Sequence, residues 1–163
     1  MKKIIVIGCP GSGKSYFSRK LGIKLKMPVY HLDNLYWNAD QTHVSEEELR
    51  EKLKEIFQKP RWIVDGNYLH TMEDRIKECD TIFFLNIPLH QCLENITNRL
   101  GTNRGDMPWT EQILDSDFID YVSRYNDEQK PVIYEFMEKY REGREIFILD
   151  NRGEMDDFIG AIM

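Results

Sequence analysis

The sequence is short of several things, and each shortage removes a class of function. Cysteine occurs only three times, as Cys9, Cys79 and Cys92, far apart and in odd number. No CxxC pair and no His/Cys metal spacing is present, so neither a disulfide framework nor a thiolate zinc site is encoded, and the thiols read as reduced. Basic residues are outnumbered: 22 Lys and Arg against 28 Asp and Glu leave a net charge of −6. A nucleic-acid backbone needs a basic face, so this balance argues against nucleic acid as the main partner. It leaves room for a small anion in a local basic pocket. No long apolar run and no apolar signal region with a small-residue cleavage site occurs, which predicts a cytoplasmic protein off the membrane. Internal repeats, low-complexity tracts and Pro/Gly/Ser linkers are also missing, so the 163 residues read as one domain.

What is present is an alternation. Short apolar runs at Ile4–Ile7, Val29–Leu32, Trp62–Val64, Thr81–Leu85 and Glu145–Leu149 are separated by helical patterns. Those patterns fill Lys14–Leu25, Ser45–Gln58, Leu89–Leu100, Thr110–Tyr125, Lys130–Tyr140 and Glu154–Ile162. Ser45 with Glu48 forms a capping box at the second of these. Strands separated by helices predict βαβ units and a parallel α/β sheet, and nearly continuous apolar runs fit strands covered on both faces. Ligands of such sheets bind beyond the carboxyl ends of the strands. The segment RLGTNRGDMPW, Arg99 to Trp109, carries glycines, a proline and arginines between helices and reads as a mobile loop.

The most informative stretch is IIVIGCPGSGKS, from Ile4 to Ser15. Gly8 to Ser15 match G-x-x-x-x-G-K-[ST] completely, after a strand and before a helix. Glycines let the loop close its N–H groups on phosphate oxygens, and the helix start adds unpaired N–H groups with partial positive charge. Gly8, Pro10, Gly11, Ser12, Gly13, Lys14, Ser15 and Tyr16 are therefore the expected nucleotide contacts. Lys14 supplies a full charge for the β and γ phosphates and Ser15 a hydroxyl for Mg²⁺. Asp65, closing WIVD, reads as a second Mg²⁺ ligand or as a strand-end Asp-Gly turn.

These motifs carry a resemblance. The cradle, VDGNY, DTIFFLNIP and SRYNDEQKPVIYEF resemble the adenylate-kinase-like branch of P-loop kinases. HLDNLYW together with WIVDGNY is similar to the bacterial topology modulation protein group. The likeness covers nearly the whole chain. It implies a three-layer fold around a five-stranded parallel sheet of order 2-3-1-4-5, a short lid at about 99–110, and ATP·Mg as phosphoryl donor. By position it implies that lid residues Arg99 and Arg104, with Arg124, neutralise the transferring phosphoryl. It also implies that Asn151, Arg152 and Gly153 pack on the adenine.

The departures concern the acceptor. Asp33 is followed by Asn34, Leu35 and Tyr36, and Asp65-Gly66 by Asn67, Tyr68 and Leu69. Both arginines with which adenylate kinases grip a nucleoside monophosphate are missing. Arg75 is the remaining cation that could reach in. A hydroxyl acceptor, as in sugar-acid or shikimate-type kinases of similar architecture, does not need those arginines. Asp33 then reads as the group that orients or deprotonates a hydroxyl, or as a helix cap. Tyr36, Trp37, Gly66, Asn67 and Tyr68 read as the acceptor wall, the aromatics among them alternatively as core. Arg124 has Asp127 three residues on, so a local ion pair competes with a transfer role. The helix-start setting of Cys9 favours a lowered thiol pKa. The functional expectation is an ATP-dependent kinase of a nucleotide or other small acceptor, acting as monomer or homodimer. The rival expectation is a P-loop ATPase or nucleotide-dependent regulator of a macromolecule.

Overall fold

A computed structural model describes residues 1–162. Five parallel strands form one sheet: β1 Lys3–Gly8, β2 Val29–His31, β3 Trp62–Asp65, β4 Thr81–Leu85 and β5 Glu145–Leu149, in the order β2-β3-β1-β4-β5. β1 lies at the centre, with Ile5 opposite Val64 on one side and Ile82 on the other. Its residues Ile4 to Ile7 are fully buried, which is why the run is apolar at every position instead of alternating.

Nine helices complete the described residues. α1 (Lys14–Leu25), α2 (Leu32–Tyr36), α3 (Glu46–Phe57), α4 (Met72–Glu78) and α5 (Leu89–Asn98) alternate with the first four strands. α6 (Ser116–Ser123), α7 (Tyr125–Glu128) and α8 (Lys130–Lys139) precede β5, and α9 (Arg152–Ala161) follows it. A phenylalanine cluster ties α1 and α9 to the sheet: Phe17 meets Phe83 edge-on at 4.9 Å, and Phe158 meets Phe83 and Phe147 at the same distance. α3 starts where the capping box places it, with Ser45 accepting from the Glu48 amide at 3.1 Å. No helix among the described residues is long and apolar enough to cross a membrane.

Two departures from the helical pattern matter for the site. The helix expected over Thr110–Tyr125 begins only at Ser116, because the Asp115 side chain caps it by accepting from the Asp117 amide at 2.9 Å. Residues 110–115 are drawn into the preceding loop instead, with the Gly101 amide on the Glu111 carbonyl at 2.7 Å. The loop crossing the strand ends therefore runs from Arg99 to Asp115. The second departure is α2, which starts directly at the end of β2 and carries Asp33 and Tyr36.

Candidate functional site

All five strands end on one side of the sheet, and there lies a cleft of about 1460 Å³. Its floor is the loop between β1 and α1. Gly11 has a φ of +82°, and a Cβ there would collide with the Cys92 carbonyl oxygen of α5; only glycine fits that approach. The loop is fastened from outside by Asn95, whose side-chain amide donates to the Gly11 carbonyl at 2.9 Å. Asn67 Oδ1 takes the Gly8 amide at 3.1 Å. The Lys14 ammonium donates to the Gly8 and Cys9 carbonyls at 2.9 and 3.0 Å, and burial lowers its pKa.

Pro10, Gly11, Gly13, Lys14, Ser15 and Tyr16 line the cleft, while Gly8 and Ser12 do not. Beside Tyr16, Arg152 lays its guanidinium over the ring, 3.1 Å from its centre. Asn151 caps α9, accepting from the Glu154 amide at 3.0 Å, and Gly153 lies in the first turn. Neither Asn151 nor Gly153 lines the cleft.

The far wall is aromatic. Tyr36 and Trp37 meet edge-on at 5.0 Å, Tyr68 lies 5.1 Å from Tyr36, and Trp109 from the long loop meets Trp37 at 5.4 Å. Among them stands Asp33, whose Oδ1 accepts the Tyr68 hydroxyl at 2.7 Å. Burial raises the Asp33 pKa, against the opposing pull of that hydrogen bond and of the Lys14 charge. Tyr68 is held at φ +29°, a conformation costly for a residue with a Cβ. Gly66, at φ +132°, has no room for a Cβ against Leu32.

Arg75 explains how that strained segment is kept. It is fully buried. Its guanidinium donates to the Gly66 carbonyl at 2.8 Å, to the Tyr68 carbonyl at 3.2 Å and to the Asn67 carbonyl. Its Nε donates to Thr71 Oγ1 at 3.2 Å. Burial lowers its pKa to about 10. Arg75 thus organises the 66–68 segment from behind and does not line the cleft.

Asp65 is also committed. Its Oδ2 lies 2.7 Å from His31 Nδ1, and both side chains are nearly buried. Burial alone would lower the His31 pKa, but the hydrogen bond and charge of Asp65 outweigh it and raise it. The arginines of the long loop are paired with its own carboxylates: Arg104 with Glu111 at 3.2 Å and Asp106 at 3.6 Å, Arg99 with Glu111 at 3.4 Å. Arg124 is exposed, pairs with Glu128 at 3.3 Å one helical turn on, and is absent from the cleft lining. The Cys9 thiol is pushed up by the neighbouring Cys92 thiol and by burial, opposite to the lowering its helix-start position favours.

Sequence reasoning missed Trp109, Asp106, Glu111, Phe118, Tyr121 and Gln129, all of which line the cleft. Asp106 and Trp109 sit inside the segment recognised as a lid, but nothing local singles them out. No protein-family model matches the chain, and no curated protein matches it. Solved structures do. Shikimate kinase from Bacteroides thetaiotaomicron superposes with a TM-score of 0.62 at 16% identity, covering 96% of this chain and 93% of its own. Shikimate kinase from Acinetobacter baumannii, in complex with shikimate, gives the same TM-score and identity over 99% and 90%. At that identity the likeness establishes the fold alone, the five-stranded parallel sheet with flanking helices described above.

Proposed function

We propose that this chain is an ATP-dependent small-molecule kinase whose acceptor presents a hydroxyl and carries no negative charge. The observation that carries the reading is the pairing of two unlike ends in one cleft. At one end are the phosphate cradle and Lys14; at the other is the half-buried carboxylate of Asp33 between aromatic rings. Asn67 adds a hint of the ligand: its Nδ2 is buried without a hydrogen-bond partner among the described residues, while its Oδ1 holds the cradle. A phosphate oxygen would satisfy that donor.

The chemistry asks for little beyond placement and charge. Tyr68 occupies one oxygen of Asp33 and leaves the other for the acceptor hydroxyl. A carboxylate with a raised pKa is suited to take that hydroxyl's proton. The acceptor oxygen bonds the γ-phosphorus as the bond to the ADP oxygen breaks. Lys14, leaving its loop carbonyls for phosphate oxygens, and Arg99 and Arg104, leaving Glu111 and Asp106, would meet the charge that develops. Mg²⁺, when bound, would neutralise the β and γ oxygens. The hard oxygen donors near Ser15 suit it, although no three acidic, histidine or cysteine side chains among the described residues form a cage by themselves. Such a cation arrives with the nucleotide.

The uncharged acceptor follows from Arg75. It is the one arginine placed behind the acceptor wall, and its donors are taken by backbone carbonyls. Of the arginines that line the cleft, Arg19 is exposed on α1 one turn beyond Ser15, Arg152 lies over Tyr16, and Arg99 and Arg104 are paired with Glu111. An anionic acceptor would face the Asp33 carboxylate, and the cations whose charge reaches Asp33, Lys14 and Arg99, are engaged by the loop carbonyls and by Glu111 and serve the phosphoryl group. The shikimate kinases share the fold but their acceptor carries a carboxylate, so acceptor identity does not transfer with the fold.

The test is transfer of labelled γ-phosphate from ATP·Mg to paired acceptors, each nucleoside beside its monophosphate and each neutral cyclic alcohol beside its acid. Label on the uncharged member is expected. Label on AMP or shikimate instead would overturn the acceptor class. Label released only as free phosphate, equally without acceptor, would favour the ATPase or regulator.

A further inference from the structure

The long loop brings to the cradle a carboxylate from 91 residues away: the Ser15 hydroxyl donates to Asp106 Oδ2 at 2.7 Å. Asp106 is only 6% exposed. Its carboxyl is drawn upward by burial, but the Ser15 hydroxyl and the Arg104 guanidinium hold it below the ordinary value. Its position is set from both sides. The Gly105 carbonyl accepts from the Asn34 side chain at 2.8 Å, and Trp109 rests on Trp37. Arg104 bears on the same oxygen, Oδ2, at 3.6 Å.

Neighbouring ligands of an octahedral magnesium ion stand about 2.9 Å apart, given ligand distances of roughly 2.0–2.1 Å. Ser15 Oγ and Asp106 Oδ2 already hold nearly that spacing. Asp65, the carboxylate that sequence position favoured for the metal, has Oδ2 bound to His31. Asn67, which holds the Gly8 amide of the cradle loop, has a buried Nδ2 without a partner among the described residues, a donor for a phosphate oxygen.

We infer, resting on the nucleotide reading above, that Asp106 is the protein carboxylate that binds the nucleotide's divalent cation beside Ser15. The cation thereby fastens the lid over the phosphates. Lid closure then depends on the metal as well as on the arginines, and Arg104 is carried into place by its neighbour.

The test uses the full chain with ADP and Mn²⁺, and reads metal uptake directly. ADP affinity is measured first without metal, and free Mn²⁺ is then titrated by its electron paramagnetic resonance signal into the ADP complex. Asp106→Asn keeps the shape and an acceptor for Ser15. It is expected to weaken Mn²⁺ binding by about 10- to 100-fold, with metal-free ADP affinity within about twofold of wild type. Asp106→Ala should do the same. Trp109 fluorescence should respond to Mn²⁺ in the wild type and lose that response in both variants. Unchanged or tighter Mn²⁺ binding in Asp106→Asn would overturn the assignment and make Asp106 a latch that the cation displaces. Failure of the wild type to bind ADP without metal would instead strike down the nucleotide reading, and the metal role with it.

Discussion

The two ends of the cleft are built by different means. The cradle end is built from backbone: a glycine loop, a helix start and Lys14, with Arg152 stacked at the rim and arginines in the long loop. The acceptor end is built from side chains, with rings at Tyr36, Trp37, Tyr68 and Trp109 around one carboxylate. The guanidinium that could have served an anion there is turned inward to the backbone. In the function proposed above, charge serves the phosphoryl donor, and shape with a single polar group serves the acceptor. One architecture can therefore keep its donor and change its acceptor by altering a few side chains.

The comparison breaks most severely at Lys14. Lys14→Ala removes the only side-chain cation inside the cradle, and about a 10³-fold loss of transfer is expected. Steady-state turnover with ATP·Mg checks this, and retained turnover would discard the cradle as the working end. At the acceptor end, the largest effect should come from Arg75. Arg75→Met preserves bulk but leaves the carbonyls of Gly66, Asn67 and Tyr68 unpaired. A loss of about 3 kcal/mol is expected, close to 10 °C in Tm for a chain of this size. Arg75→Lys should recover little, because a point charge cannot reach carbonyls spread around a planar fork.

Asp33 sharpens the contrast, because its role in transfer and its effect on stability have opposite signs. Its folded pKa is raised by burial. Stability linked to it is complete below the unfolded value of about 3.9 and falls as pH climbs through the folded value. The ionised group is therefore a cost at neutral pH. Asp33→Asn keeps an acceptor for the Tyr68 hydroxyl and removes that cost. Transfer should fall about 10²-fold with ATP affinity unchanged, while Tm at pH 7 rises by about 2–4 °C. The Tm gap should close as pH approaches 4. A lower Tm with intact transfer would make Asp33 a cap.

What could be read from the sequence follows the same division. The cradle was legible because its requirements are local: glycines, a lysine and a serine within eight residues, between a strand and a helix. The sheet was legible from continuous apolar runs such as Ile4–Ile7. The acceptor end was only partly so. Asp33 and Tyr68 stand out by position after strands, yet their hydrogen bond spans 35 residues. The turn of Arg75 away from the cleft depends on the backbone path of residues 66–68, which no local pattern records. Asp106 reaches Ser15 across 91 residues, and Asp115 ends the loop by a cap hidden within an apparently continuous helical pattern. Long-range contacts decide these roles, and a single sequence specifies them without displaying them.

The smallest effect should appear at His31, below the acceptor wall at the end of β2. Its Nδ1 lies 2.7 Å from Asp65 Oδ2, and the folded pKa is raised. Below about pH 6.5, the ordinary histidine value, both folded and unfolded chains carry the proton, and the charged pair stabilises in full. As pH climbs through the raised folded value, the folded chain gives up the proton and that contribution goes. Wild type should therefore lose stability across this window relative to His31→Gln, which keeps a polar partner for Asp65 without a titrating group. About 1 kcal/mol is expected, or 2–4 °C, measured as the difference in Tm between the two chains from pH 5.5 to 8.5. A constant difference over that range would mean that Asp65 is held in place without a charged histidine. The carboxylate would then be free to share the metal with Ser15, and the distinction drawn between Asp65 and Asp106 would weaken from the Asp65 side.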